Sequence, residues 1–571
     1  VAASTERSMA QHPGGGSRYG RRHMVLGLVM ACTWHKILER QRDSIRVLTD
    51  LPDPVVALLE RLNLTERVAK RLEEAELSRA AADLVALPAQ ELLDQGATVK
   101  HPLVLVPGII SCGLELWRPG ECFGGDFFRE RLWGGVGMAR TLLHNVRCWL
   151  DHLSLDPDTG LDREGQAVRV AEGFQAADYF APRYWLWSKL LENAALLGYD
   201  RQSMYLACYD WRLSFRNLER RDSYFTRLKS EVEFLHARTG EKVVLLGHSM
   251  GASVAFFFLD LQTDDWCAEH VHAFVSLGGS LLGAAGPLAA AVSGEMAATA
   301  ALGPLNKVID SQLTFLNKTQ QRDVYRSLGG IGALLPKGAD VVWGDDLFQI
   351  DDNGTLLHSR GVDWVTRRLA ENPKSMRMMD YDLHPRLPKK EQKGLATASE
   401  NPLNTALPKA PRVTWHCLYG RGIPTERAYR YLRQQGDDDD DDNLADFGYI
   451  DYNWSDDSFT RGVSYADGDG TVPLLSLGYA CAGLWRHLPA FNPSGARVVL
   501  REYNDDQCPV WVDPRGGPRT SRHVEILGNA EVIADVLRIA TAHDQQPERI
   551  YSEILKESVA LSRKLAEHLK T

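Results

Sequence analysis

The stretch Glu241–Gly251, reading Glu-Lys-Val-Val-Leu-Leu-Gly-His-Ser-Met-Gly, constrains this chain more than any other. Val243 to Leu246 is a short, wholly apolar run, the pattern of a strand buried on both faces of a parallel sheet. Gly247-His248-Ser249-Met250-Gly251 follows without a spacer, and Ala252 to Leu261 is apolar and long enough for a helix. A G-x-S-x-G segment between a buried strand and a helix reads as a sharp elbow that presents a nucleophilic serine. Its glycines are needed because a side chain on either would clash where the chain turns. A chance five-residue match is the bland alternative, and the flanking strand and helix argue against it. Ser249 is the candidate nucleophile, and the rest of the chain is read for its partners.

His101 to Gly108 is a first buried strand ending in Pro107-Gly108, followed by Ile109 and Ile110. Acyl transfer from a serine needs rigid donors aimed at the developing tetrahedral oxygen. The backbone N–H of Ile110, just past this strand, is one candidate. That of Met250 is the other, because the residue after the nucleophile opens a helix whose dipole favours an anion.

Asp467-Gly-Asp-Gly-Thr-Val-Pro473 places a short carboxylate on a glycine-rich turn, which is what the acid of a catalytic triad requires, and Asp469 is a better candidate than Asp467 because it is central in the turn. His523, in Ser521-Arg-His-Val-Glu-Ile-Leu-Gly528, then completes the chain order Ser, Asp, His. That is the order of α/β hydrolases, and of neither the chymotrypsin nor the subtilisin proteases. The expected fold is an α/β-hydrolase core with a lid and a large inserted helical cap. Further core strands are expected at Met204–Cys208, His272–Gly278, Pro411–Gly420 and Arg497–Arg501. Asp210 and Arg212, in Tyr209-Asp-Trp-Arg-Leu-Ser214, read as a structural charge pair.

A chain of 571 residues accommodates this core and its insertions. The core is expected over residues 98–283 and 409–545, with the lid at 111–149, the cap at 284–408 and a C-terminal helix at 546–571. The lid assignment rests on Trp117, Trp133, Trp149 and three phenylalanines among many glycines, with Trp117 and Trp133 as candidate substrate contacts. A net charge of −10, spread along the chain, lacks the basic field of a nucleic-acid binder. The run Asp437–Asp442 reads as a solvated loop, since no spaced ligand pattern for calcium accompanies it. Nine cysteines with no Cys-x-x-Cys pair give neither a disulfide scaffold nor a cysteine-based zinc site, so no metal is expected.

The N-terminal segment 1–34 combines a basic, Gly- and Ser-rich tail with the apolar run Met24–Trp34. Eleven apolar residues are fewer than the roughly 20 a membrane-spanning helix needs, so a signal segment, an interfacial anchor and a buried helix turn all stay open. The absence of Met at position 1 points to a processed or truncated chain. Residues 35–97 are charged, helical in rhythm and broken at Leu51-Pro-Asp-Pro54.

Several segments taken together carry a resemblance: Val106-Pro-Gly-Ile109, Gly113-Leu-Glu-Leu-Trp117, Arg131-Leu-Trp-Gly134, Ala176-Ala-Asp-Tyr-Phe180, Tyr209-Asp-Trp-Arg-Leu-Ser-Phe215, Gly247-His-Ser-Met-Gly251, Leu335-Pro-Lys-Gly338, Asp467-Gly-Asp-Gly-Thr-Val-Pro473 and His523-Val-Glu-Ile-Leu-Gly528. They run in one order over about four-fifths of the chain, and they resemble the phospholipid:diacylglycerol acyltransferases of plants and algae, within the lecithin:cholesterol acyltransferase family. The resemblance implies Ser249, Asp469 and His523 as the triad, the end of the first strand as the oxyanion loop, a membrane phospholipid as acyl donor and diacylglycerol as acceptor. It implies no cofactor, and contact with a membrane surface; the charge argues against nucleic acid, and no protein partner is inferable. It also implies disulfides Cys122–Cys148, across the lid, and Cys417–Cys481, around the acid loop, against the alternative of reduced, buried cysteines.

Disulfides in turn imply a catalytic domain in the endoplasmic reticulum lumen, with a chloroplast membrane as the alternative. The sequons at Asn63, Asn317, Asn353 and Asn453 permit this without arguing for it. The sequence departs from the family at Ser280, where a proline is expected, in the acidic run, and in the short apolar segment Met24–Trp34. Rival functions are a phospholipase or galactolipid lipase with the same triad, transfer to a sterol, and a lipid-binding protein without catalysis.

Overall fold

The structure, a computed structural model, describes residues 88–181, 184–295, 318–352, 355–371, 381, 383–388, 394–433, 447–508, 513 and 515–570. One compact unit, Ala86–Cys508 with Arg515–Thr571, carries every element named below. The basic tail, the run Met24–Trp34, the run Asp437–Asp442 and the sequons at Asn63, Asn317 and Asn353 lie outside the described residues. Of the segment 35–97, the part described includes a helix at Pro88–Asp94.

Six parallel strands form the central sheet: β1 (Leu103–Val106), β2 (Met204–Leu206), β3 (Val243–His248), β4 (Val271–Leu277), β5 (Thr414–Arg421) and β6 (Val498–Asn504). Their order is β6-β5-β4-β3-β1-β2. β1 and β3 are buried at every position, which is why they read as continuous Val/Leu runs and not as alternating ones. The chain leaves β1 for β2 on one side and returns to β3 on the other. The direction of strand order therefore reverses at β1, and in such sheets the crevice at the carboxyl ends beside that reversal is where ligands bind. Val106 is level with Gly247, so the loop after β1 and the elbow after β3 open at the same height. This is the α/β-hydrolase arrangement.

Helix α1 (Met250–Asp260) is buried almost along its whole length, as its run Ala-Phe-Phe-Phe-Leu requires. Near the C-terminus, α2 (Ala530–Ala540) and α3 (Ile554–His568) close the core, and the Tyr479 hydroxyl meets the Ser562 hydroxyl of α3 at 3.1 Å.

The insertions hold more strand than their composition suggests. Within 111–149, Leu114–Arg118 pairs with Arg131–Trp133 and also with Ala167–Val170, and Gly137–His144 and Val146–Leu153 are helical. The cap, expected to be helical, does contain helices at Ala285–Ser293, Lys318–Ser327 and Val362–Glu371. It also contains a hairpin, Phe348–Asp352 with Thr355–Arg360, whose first strand pairs in parallel with Thr425–Arg433 from the excursion after β5. Cap and excursion thus share one five-stranded sheet. The physical reason lies in Tyr429-Arg430-Tyr431: spaced two apart, both tyrosines fall on one face of the strand, where their rings lie 6.0 and 5.4 Å from that of Phe348.

Candidate active site

Ser249 sits between β3 and α1 with φ 55° and ψ −127°, a backbone conformation that costs energy for any residue but glycine and turns the side chain out of the sheet. The turn is tight enough to exclude side chains on both flanks. A Cβ on Gly247 would lie 2.4 Å from the Gly251 carbonyl, and one on Gly251 would lie 2.1 Å from the Val106 carbonyl.

His523 enters from the loop ahead of the short helix Glu525–Gly528. Its Nε2 is 2.8 Å from Ser249 Oγ and its Nδ1 is 2.6 Å from Asp469 Oδ2. A carboxylate only accepts, so the ring carries its proton on Nδ1, leaving Nε2 to accept from the serine hydroxyl. Asp469 is aimed by its own turn, with Oδ1 accepting the amides of Thr471 at 3.0 Å and Val472 at 2.8 Å, and its carbonyl accepting the His523 amide at 3.0 Å. All three side chains are buried. Asp467 serves the turn instead: it pairs with Arg421 at 2.7 Å and accepts the Gly422 amide at 2.6 Å.

Three aromatic donors hold the loop after β1. The Tyr209 hydroxyl donates to the Pro107 carbonyl at 2.8 Å, the Trp133 indole to that of Ile110 at 2.7 Å, and the Trp211 indole to that of Cys112 at 3.1 Å. Ile110 has φ 58°, so a β-branched residue is held in the left-handed region. The Met250 amide opens α1 and has no acceptor within that helix. Both backbone amides expected as oxyanion donors therefore belong to segments fixed beside Ser249.

The two tryptophans singled out in the lid behave differently. Trp133 is buried, edge-on to Trp211 and Phe180, and grips the Ile110 loop, whereas Trp117 is 49% exposed, edge-on to Phe128 and under the Arg129 guanidinium. Disulfides join Cys122 to Cys148 and Cys417 to Cys481, the second pinning β5 to the helical segment that follows the acid turn. At Ser280, where a proline was expected, the amide donates to the Ser249 carbonyl at 3.4 Å, a bond proline lacks the N–H to make.

Two features were not read from the sequence. His248 donates from Nε2 to the His523 carbonyl at 2.8 Å, so the residue before Ser249 anchors the loop that carries His523. Burial, reinforced by the neighbouring His523 ring, lowers its pKa to about 3 and keeps it neutral. The charge pair Asp210–Arg212 belongs to a larger buried cluster, with Arg212 reaching Asp162 and the His152 carbonyl and Arg221 also bound to Asp210. Burial opposes the charge on Asp210, but the two guanidiniums outweigh it and hold the carboxyl well below its usual range.

The family model described as lecithin:cholesterol acyltransferase matches residues 127–530. The phospholipid:diacylglycerol acyltransferase of Schizosaccharomyces pombe is 36% identical over 503 residues, covering 81% of this chain and 76% of that one. Its counterpart of the same name in Saccharomyces cerevisiae is 33% identical over 546 residues, covering 88% and 79%. The human phosphatidylcholine-sterol acyltransferase is 27% identical over 405 residues, covering 68% and 77%.

Proposed function

The chain belongs to the lecithin:cholesterol acyltransferase family, and from that premise we propose that it moves a fatty acyl group from a phospholipid to diacylglycerol, with Ser249, His523 and Asp469 as its triad. His523 Nε2 takes the hydroxyl proton as Ser249 Oγ attacks the ester carbonyl carbon of the phospholipid. The carbonyl oxygen becomes an oxyanion between the amides of Ile110 and Met250. As the intermediate collapses, the ester C–O bond breaks and the imidazolium protonates the departing lysophospholipid oxygen, leaving an acyl-serine. The diacylglycerol hydroxyl then gives its proton to His523 and attacks the acyl carbon; the serine oxygen leaves, recovers that proton, and triacylglycerol is released. Asp469 holds the imidazole tautomer and stabilises the imidazolium formed in each half-reaction.

The observation that carries this reading is the relay from Ser249 Oγ through His523 to Asp469, at 2.8 and 2.6 Å. The choice of diacylglycerol over a sterol or water rests on the relatives' names, because the same acyl-serine serves all three acceptors. Contact with a membrane surface is supported by the exposed Trp117, Phe128, Val136 and Leu143 around the lid. Among the described residues no helix is long and apolar enough to cross a membrane. The two disulfides support a luminal catalytic domain at the endoplasmic reticulum membrane.

The test supplies phospholipid labelled in its acyl chain, with unlabelled diacylglycerol, to the purified protein. Label in triacylglycerol is the expected result. Label only in free fatty acid would make the protein a phospholipase, and label in a sterol ester, when sterol is added, would make the acceptor a sterol.

A further inference from the structure

Two helices end near each other at the base of the nucleophile strand. Tyr224–Thr239 carries His236 in its last turn, and Asp264–His270 ends on Glu269 and His270. The first leads into β3 and the second directly into β4. One donor atom from each of His236, Glu269 and His270 lies within 4.8 Å of the other two, and the two imidazoles are 4.9 Å apart at 63°.

The histidines are already oriented by the backbone. Nδ1 of His236 is 3.0 Å from the Glu241 carbonyl, and Nδ1 of His270 is 3.0 Å from the Trp266 carbonyl. Carbonyl oxygens only accept, so each ring carries its proton on Nδ1 and keeps the lone pair of Nε2. A backbone carbonyl on the remote nitrogen is also what fixes the tautomer of metal-binding histidines. His270 is held further by stacking on Trp266 at 4.7 Å. Both helices direct their C-terminal, negative dipole ends here, which favours a cation. The nearby Lys242 ammonium is bound to the Ala268 carbonyl at 2.5 Å.

We propose that His236, Glu269 and His270 bind a divalent transition cation of the zinc class, with water completing its coordination. Two imidazoles and one carboxylate suit zinc, whereas magnesium and calcium favour all-oxygen sites. The cysteine spacings of the sequence exclude only a cysteine-based site; these three ligands come from two helices separated by β3. Six strand residues at about 3.3 Å each put the cation roughly 20 Å from Ser249, so it ties the two helix ends together and takes no part in the chemistry.

The full chain, stripped by chelator and carrying His523→Ala so that the triad histidine does not compete, is titrated with zinc chloride by calorimetry and with cobalt by its visible absorption. One saturable equivalent is expected, with a tetrahedral cobalt spectrum and a rise in Tm of a few degrees. The double variant His236→Asn, His270→Asn is expected to lose all three signals. Because Glu269 is exposed, Glu269→Gln should leave the metal-free Tm unchanged and weaken binding about tenfold or more. Absence of saturable binding at micromolar zinc, or binding by Glu269→Gln equal to that of its parent, would overturn the proposal.

Discussion

The indole of Trp133 donates to the backbone carbonyl of Ile110 across 2.7 Å, so a lid side chain holds the residue whose own N–H is the proposed oxyanion donor. Ile110 sits at φ 58°, and a strained backbone persists only while its surroundings hold it. Trp133→Phe keeps most of the ring packing against Trp211 and removes this one bond. The expected result is a fall in kcat of about 10- to 100-fold with KM little changed, since one oxyanion donor contributes about 10²–10³ and here it is tilted, not removed. Equal loss in kcat and KM-dependent binding would assign Trp133 to the substrate instead.

The two carboxylates of the acid turn should separate cleanly. Ser249→Ala is expected to lower the rate by about 10⁴ to 10⁶, and Asp469→Asn by about 10⁴ through the wrong imidazole tautomer. Asp467→Asn loses the charge that faces a partly exposed Arg421 and should cost only about 1 kcal/mol of stability, with activity within a few-fold of wild type. Steady-state rates of the three variants decide this, and the reverse ranking of the aspartates would move the triad acid.

How much of this was legible before the structure depends on how local each signal is. Ser249, Asp469 and His523 each sit on a short segment whose residue types announce it, and their order along the chain places them in one fold. The strands of the core were legible too, because β1 and β3 bury both faces and need apolar side chains at every position. The hairpin Phe348–Asp352 with Thr355–Arg360 was not, since its partner Thr425–Arg433 lies beyond β5 and the pairing is carried by Phe348 against Tyr429 and Tyr431. Nor could the task of Trp133 be read, because a donor reaching a backbone carbonyl leaves no mark on the sequence around that carbonyl.

His248 makes stability depend on acid in a definite direction. Its folded pKa is about 3, below the ordinary value of 6.5, so between those limits the unfolded chain binds the extra proton and stability falls as pH drops. One such group contributes a slope of about 1.4 kcal/mol per pH unit, and His416, pushed to about 3 mainly by burial with help from Arg501, acts in the same direction. His248→Gln should flatten the loss of stability between pH 6.5 and 4 while its amide still reaches the His523 carbonyl. Urea midpoints across that range measure it, and an unchanged slope would mean that His248 is already protonated in the folded state.

The Cys122–Cys148 bridge fastens the helix Gly120–Phe123 to Val146–Leu153 across the lid. If the lid keeps water from the acyl-serine, Cys122→Ser with Cys148→Ser should raise the ratio of free fatty acid to triacylglycerol. The ratio is read from the labelled-phospholipid assay, and one equal to that of wild type would place water exclusion in the cap.

The Cys417–Cys481 bridge closes a loop of 64 residues that contains Asp469, with Cys417 in the middle of β5. In the loop-entropy model such a crosslink restricts the unfolded chain by about 4 kcal/mol, and it joins the strand before the acid turn to the helical segment after it. Reduction of the folded protein should therefore lower its stability more than its activity, because Asp469 is also held by the amides of Thr471 and Val472 and by its bond to His523. Cys417→Ser with Cys481→Ser is expected to lower Tm clearly while kcat, measured well below that temperature, changes less than about tenfold. The state of the bridge in the cell follows from alkylating the protein as it is purified from its native membrane, without reductant, and mass-analysing the peptides. A linked Cys417–Cys481 peptide is the expected outcome, whereas both thiols alkylated would withdraw the main support for a luminal catalytic domain.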